Sequence, residues 1–272
     1  MYETFYGFRE KPFTLNPDPV FLYMAPPHRR ALTALEYALA SDAPFCLISG
    51  EVGAGKTTVL RHLLATLGKN YTVALINNPS ADFGPMLPWI SNAFGLNHNI
   101  DAVSLYQQFT DFLVAEYARG QKVLLIVDEA QNLTAQRLEE LRVLSNINSD
   151  KHLVLQTVLV GQPELRDLVR SPQLRQLAQR IVADQHIEPL DLAQTRIYVR
   201  HRLRKAGGRI TLFSNTAIRL AFIASRGIPR VINQYCDRAL VYGYAEGTPQ
   251  IGGDLMRTAI EDRARNGFST CD

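Results

Sequence analysis

Between an apolar run over residues 44–49 and a segment with apolar residues at helical spacing over 58–67, the chain reads Gly50-Glu-Val-Gly-Ala-Gly55-Lys56-Thr57. This is the pattern G-x-x-x-x-G-K-[ST], and it falls where its chemistry requires, after a strand and at the opening of a helix. Glycines let backbone N–H groups wrap a phosphate, and a helix N-terminus turns the positive end of its dipole toward it. Lys56 supplies a point charge for β- and γ-phosphates, which accounts for a lysine in a first helical turn that the dipole otherwise disfavours. Thr57 offers its hydroxyl to magnesium. Gly50, Glu51, Val52, Gly53, Ala54, Gly55, Lys56, Thr57 and Thr58 are therefore the expected binding set for ATP or ADP with Mg2+.

A loop of this kind needs strands alternating with helices around it. Short apolar runs recur at Tyr71–Ile76, Lys122–Val127, 153–160 and 185–190, with helix-length periodic segments between most of them. The alternation predicts βαβ crossovers and a mainly parallel sheet flanked by helices. After Asp191 the strand signal stops, and helical patterns run over Leu192–Lys205, 215–224, 229–244 and Gly253–Arg265. The expected organisation is an α/β core over 1–190 and a helical lid over 191–268. A helix is expected over 28–41. Before it, residues 1–27 are rich in proline and rings (Phe5, Phe8, Phe13, Phe21, Tyr23), which predicts an extended segment pinned by ring burial.

With 46% hydrophobic and 20% charged residues, the 272-residue chain can bury a full core, which excludes disordered, collagenous and disulfide-scaffold classes. A net charge of +3 falls short of the basic field of a dedicated nucleic-acid binder. Cys46, Cys236 and Cys271 are far apart and read as reduced thiols in a cytosolic setting. No basic region precedes an apolar stretch at the N-terminus and no apolar run nears the roughly 18–20 residues of a membrane span, so the chain is expected neither to span a membrane nor to be exported.

Lys122-Val-Leu-Leu-Ile-Val-Asp128-Glu129 is an apolar strand ending in adjacent carboxylates. Its bland reading is a buried strand before an acidic helix start. The functional reading puts Asp128 on magnesium through water and makes Glu129 the base that polarises the attacking water. A carboxylate directly after the magnesium aspartate favours hydrolysis of ATP over transfer to a small acceptor. The run over 153–160 leads to Gly161-Gln162-Pro163, where Gln162 is either a sensor of the γ-phosphate and lytic water or a loop glutamine before a Pro-started helix. Asn132 reads as a cap. Arg175 and Arg180 are candidates for an arginine finger donated to a neighbouring subunit, Arg180 first because it adjoins the next strand; paired or solvated arginines are the alternative. In Gly227-Ile-Pro-Arg230, Arg230 either reaches the γ-phosphate from the lid or lies on a helix surface. His28 and Tyr198 either border the adenine or pack as core. Arg196, Arg200 and Arg204 share one helix face, solvated or facing phosphates.

Taken in order, the phosphate loop, Asp128-Glu129, Gln162-Pro-Glu-Leu, Arg180, Gly227-Ile-Pro-Arg230 and the helical lid resemble an AAA+ ATPase. The opening residues, with Gly7-Phe, Lys11-Pro-Phe13, Pro17-Asp-Pro19, Phe21-Leu-Tyr23, His28-Arg and Gly161-Gln-Pro-Glu-Leu165, resemble more narrowly the ExeA/GspA branch, cytoplasmic ATPases of type II secretion. The resemblance covers nearly the whole chain. It implies a homo-oligomer with ATP at subunit interfaces, at the cytoplasmic face of the bacterial inner membrane, with an inner-membrane secretion protein as partner. Members of the branch continue into a membrane anchor and a peptidoglycan-binding domain, so it implies either the cytoplasmic part of a longer protein or a stand-alone relative. Cousins regulate transposition on DNA, which makes DNA the less favoured alternative partner, since no DNA-reading motif accompanies the modest charge. A switch with negligible turnover is disfavoured by Glu129.

Overall fold

Apart from its leading lysine, Lys122–Val127 is wholly apolar and wholly buried, which a strand achieves only between two neighbours with helices over both faces. The computed structural model, which describes residues 1–15, 21–80, 84–149 and 152–265, places it so. Five strands, β1 (Phe45–Gly50), β2 (Tyr71–Ile76), β3 (Lys122–Val127), β4 (Leu155–Gly161) and β5 (Ile181–Ile187), form one parallel sheet in the order β2-β3-β4-β1-β5. Because every strand runs the same way, their carboxyl ends share one edge; Ser49 registers with Gly161, and Val127 with Leu159. Ligands of open parallel sheets bind outside that edge.

The chain forms two compact units. One holds Arg30–Gly50 and Val59–Ile187, and so contains the whole sheet. Its core sets Phe45 and Leu47 of β1, Val123, Leu125 and Val127 of β3 and Leu159 of β4 among Phe109, Leu113, Leu141 and Leu165 of the helices. Phe109 and Leu113 lie one turn apart on Ala102–Ala118, whose start is fixed by the Asp101 carboxylate accepting from the N–H groups of Val103 and Ser104. Each such side chain stabilises the fold by about 1.5–3 kcal/mol on full burial.

Two strand boundaries differ from expectation. The run at 153–160 divides: His152–Leu153 pairs antiparallel with Asn148–Ser149, and β4 proper begins at Leu155. The last strand was expected at 185–190 and runs over Ile181–Ile187 instead. Among the described residues it is an edge strand paired only with β1, so Val182, 60% exposed, and the polar Asp184, Gln185 and His186 interrupt the apolar signal. It ends two residues before Pro189, which has no N–H for a ladder.

The other unit holds Met1–Arg29, Glu51–Thr58 and Glu188–Asp272. The boundary expected at Leu190 is linear, whereas here the opening 29 residues and the glycine loop group with the C-terminal helices. Those helices follow their start signals: Leu192–Lys205 from a capping box of Asp191 and Gln194, Asn215–Ser225 from the Ser214 cap, Pro229–Ala245 with proline at its first position, then Gly253–Arg265. The opening segment is not simply extended. Tyr2–Tyr6 is a short helix closed by Gly7 at φ 73°, and Pro26 starts the helix Pro26–Ala40. Ring burial holds for Phe8, Phe13 and Phe21, which join Leu203, Phe213 and Ile232 in one core; Phe5 stays 43% exposed. Arg202, itself buried, donates Nε–H to the Pro12 carbonyl at 2.6 Å and Nη2–H to that of Thr14 at 3.3 Å, with its guanidinium 4.6 Å from the Phe21 ring centre. Pro17-Asp-Pro19 lies outside the described residues.

Cys46 and Cys236 are free, buried thiols; burial pushes Cys46 up to about 12 and Cys236 up as well, so both are inert. Cys271 lies outside the described residues. Among the described residues no helix is long and apolar enough to cross a membrane.

Candidate nucleotide-binding site

The glycine loop leaves β1 at Gly50 and gives way to the helix Lys56–Thr66. Gly53 and Gly55 have φ of 83° and 103°, a left-handed backbone that only glycine takes without strain. Space demands glycine as well: a Cβ on Gly53 would meet Arg230 Cβ at 2.4 Å, and one on Gly55 would meet His28 Nε2 at 2.5 Å. The loop closes on itself through Ala54 N–H to the Glu51 carbonyl at 3.0 Å. Lys56 is buried, and its ammonium donates to the Glu51 carbonyl at 3.2 Å, which curls the side chain back along the loop. Thr57 is exposed in the first helical turn, where N–H groups lack intrahelical partners.

Two residues from distant sequence flank this loop. His28 is 3% exposed and donates Nε2–H to the Ala54 carbonyl at 2.8 Å. Burial pushes its pKa below the ordinary histidine value against that hydrogen bond, so the ring is neutral, and its buried Nδ1 has no hydrogen-bond partner among the described residues. Arg230 donates its backbone N–H to the Gly53 carbonyl at 3.3 Å, while its side chain is exposed and forms no ion pair with a described carboxylate. Tyr198, the other residue read as a neighbour of the adenine, is core: it is 7% exposed and its hydroxyl donates to Asn233 Oδ1 at 2.8 Å.

On the sheet, Asp128 and Glu129 leave β3 half-buried, with Asp128 Oδ1 accepting the Glu129 N–H at 3.0 Å. Glu129 has φ 56°, left-handed and not glycine, which costs on the order of 1–3 kcal/mol and is a feature concentrated at functional sites. Its Oε2 accepts from Gln162 Nε2 at 3.2 Å and from Gln131 Nε2 at 2.7 Å. Gln162 thus stands beside Glu129 at the ends of neighbouring strands. Gln131 was not among the expected residues, and its one sequence signal is its place two residues beyond the carboxylate pair. Asn132 is not a helix cap: it ends a 3-10 turn, Ala130–Asn132, and donates Nδ2–H to Asn78 Oδ1 at 2.9 Å. Arg180 lies elsewhere on this unit, donating to Ser145 Oγ at 2.8 Å and to Asn146 Oδ1, while Arg175 is exposed.

A parallel sheet with a glycine loop of this geometry after β1, and carboxylates leaving the same edge at β3, defines a P-loop nucleotide-binding protein of the AAA class. Residues 39–169 match the family model described as "AAA domain". The chain is an AAA+ P-loop protein. It is 43% identical over 264 residues to general secretion pathway protein A of Aeromonas hydrophila, an alignment covering 96% of this chain and 48% of the relative. The chain thus spans about half the length of that relative. Among solved structures, the Aeropyrum pernix ORC2 protein, solved as ADPNP–ADP complexes, is similar at TM-score 0.66 and 20% identity, over 94% of this chain and 72% of that one. Cdc6p from Pyrobaculum aerophilum is similar at TM-score 0.64 and 16% identity, over 91% and 71%. These two share the fold.

Proposed function

We propose that the chain binds ATP with magnesium and hydrolyses it to ADP and phosphate. The observation that carries this is the pair of left-handed glycines directly before buried Lys56, on a loop leaving the sheet edge from which Glu129 also emerges. In this reading the loop N–H groups from Gly50 to Thr58 cradle the phosphates, and Lys56 uncurls from the Glu51 carbonyl to meet the β- and γ-phosphates. The Thr57 hydroxyl and Asp128 carboxylate are hard oxygen donors, the chemistry that suits magnesium bound to phosphates. Magnesium there would neutralise charge on the transferred phosphoryl. Glu129 takes the proton of the attacking water as its oxygen bonds to the γ-phosphorus and the bond to ADP breaks. Gln162 orients that water, Arg230 reports the γ-phosphate to the helical lid, and Arg180 of a neighbouring subunit completes the charge in a homo-oligomer. Calorimetric ATP binding and phosphate release by the purified chain test this; neither would be found if the reading is wrong.

The likeness to general secretion pathway protein A supports a finer assignment, in which hydrolysis drives assembly of a type II secretion (secretin) complex at the cytoplasmic face of the inner membrane, with an inner-membrane protein as partner. Secretin assembly in cells carrying Glu129→Gln tests it, and full assembly would exclude it. A second reading, regulation on DNA, rests on one observation: Arg196, Arg200 and Arg204 share a helix face and form no ion pair with a described carboxylate, Arg204 being exposed and Arg196 and Arg200 half-buried. Salt-dependent duplex binding lost on their substitution would favour it.

A further inference from the structure

A carboxylate that takes a proton from water must be held, and Glu129 Oε2 is held by two amides. The two are not equivalent. Gln162 contributes its Nε2 at 3.2 Å. Gln131 contributes Nε2 at the shorter 2.7 Å and uses its other end too, its Oε1 accepting the backbone N–H of Gln162 at 3.0 Å. A carboxylate only accepts and a peptide N–H only donates, so the Gln131 amide fits between them in one orientation. Gly161, the last residue of β4, gives it room: a Cβ there would come within 2.6 Å of Gln131 Oε1 and 2.8 Å of Leu165 Cδ2. Three positions, 131, 161 and 162, therefore cooperate on one carboxylate oxygen and leave the other oxygen, Oε1, for water.

We propose that Gln131 is a positioning residue for hydrolysis, a two-ended strut between the exits of β3 and β4 that fixes the carboxylate of Glu129 toward the attacking water. Gln162 can turn to a γ-phosphate without releasing Glu129, because Gln131 keeps its grip. The proposal rests on reading Glu129 as the base.

Two substitutions separate this role from tethering alone. Gln131→Met keeps the volume and removes both ends. Gln131→Glu keeps an acceptor for the Gln162 N–H but sets a like charge against Glu129. Positioning predicts that both lower kcat by about 10- to 100-fold, the scale of a misplacement near 1 Å, with KM for ATP and Tm unchanged. Gly161→Ala, which displaces the amide without touching it chemically, should lower kcat in the same direction and covers the case in which a Gln131 variant fails to fold. Wild-type turnover in Gln131→Glu but not in Gln131→Met would make Gln131 a tether for Gln162 and overturn the proposal, as would wild-type turnover in all three. Glu129→Gln measured alongside distinguishes the other failure: if it turns over normally, the base assignment falls and takes the strut's purpose with it, whatever the Gln131 variants do.

Discussion

His28 donates its Nε2 proton to the carbonyl of Ala54 across 2.8 Å, so a buried imidazole beside the N-terminal segment supports the middle of the glycine loop. The same ring nitrogen occupies the space that a side chain at position 55 would need. Sequence adjacency connects the loop to β1 and to the helix at Lys56; this hydrogen bond connects it to residue 28.

That bond carries a pH prediction. Burial holds His28 below its ordinary value, while in the unfolded chain it titrates near 6.5. The neutral ring's contribution is complete above the unfolded value and is lost as pH falls from there through the lower folded value, because the unfolded state takes up its proton first. His201, also pushed down by burial, adds a component of the same sign. The wild-type Tm should therefore fall between about pH 7.5 and 5.5, and less so in His28→Gln, which keeps an N–H donor but does not titrate. Parallel Tm profiles for the two proteins would contradict the assignment.

Arg202 makes a stability prediction. Its guanidinium satisfies two carbonyls of the opening segment, at Pro12 and Thr14, and covers the Phe21 ring. Arg202→Ala leaves those acceptors bare and should cost about 2–4 kcal/mol in denaturant unfolding. Arg204→Ala, exposed on the same helix, should change stability by less than about 0.5 kcal/mol.

Much of this was legible beforehand because local pattern and tertiary role agree. Tyr71–Ile76 and Lys122–Val127 are runs that central parallel strands demand, and Ser214 and Pro229 announce helix starts that nothing overrides. β5 was misread because an edge strand tolerates polar side chains. The short helix at Tyr2–Tyr6 was missed since five residues carry too little periodicity. The grouping of the opening segment with the C-terminal helices rests on contacts between distant residues, ring burial and the bond from Arg202 to Pro12 among them, the latter 190 residues apart in sequence. Candidate residues with a fixed spacing, Lys56 and Glu129, could be proposed from the sequence. Gln131 was not, because its role arises from strand order: β3 lies beside β4, and only that brings residues 131 and 162 within hydrogen-bond reach.

Lys56→Ala should bind ATP one to two decades more weakly while keeping its fold, since charged hydrogen bonds contribute roughly 1.5–3 kcal/mol. Calorimetric titration with ATP, beside circular dichroism, checks both halves. Unchanged affinity would remove the glycine loop from nucleotide binding.

For Arg180, the hydroxyl of Ser145 and amide of Asn146 are neutral partners, so its full charge is available to a neighbour's phosphate. Arg180→Ala should bind ATP normally and lose on the order of 10³-fold in turnover. Mixed with Glu129→Gln it should regain activity, because one interface then joins an intact arginine to an intact base; Arg175→Ala should show no such deficit. Absence of recovery would argue against a finger donated between subunits.

The central claim is that Glu129 takes the proton of the water that attacks ATP, and Glu129→Gln addresses it directly. Glutamine can still bond to Gln131 and Gln162, yet it cannot accept the proton. With ATP affinity measured by calorimetry and phosphate release measured at saturating ATP and magnesium, the variant should bind ATP as the wild type does and release essentially no phosphate. Phosphate release near the wild-type rate, with affinity unchanged, would contradict the account and require a different base.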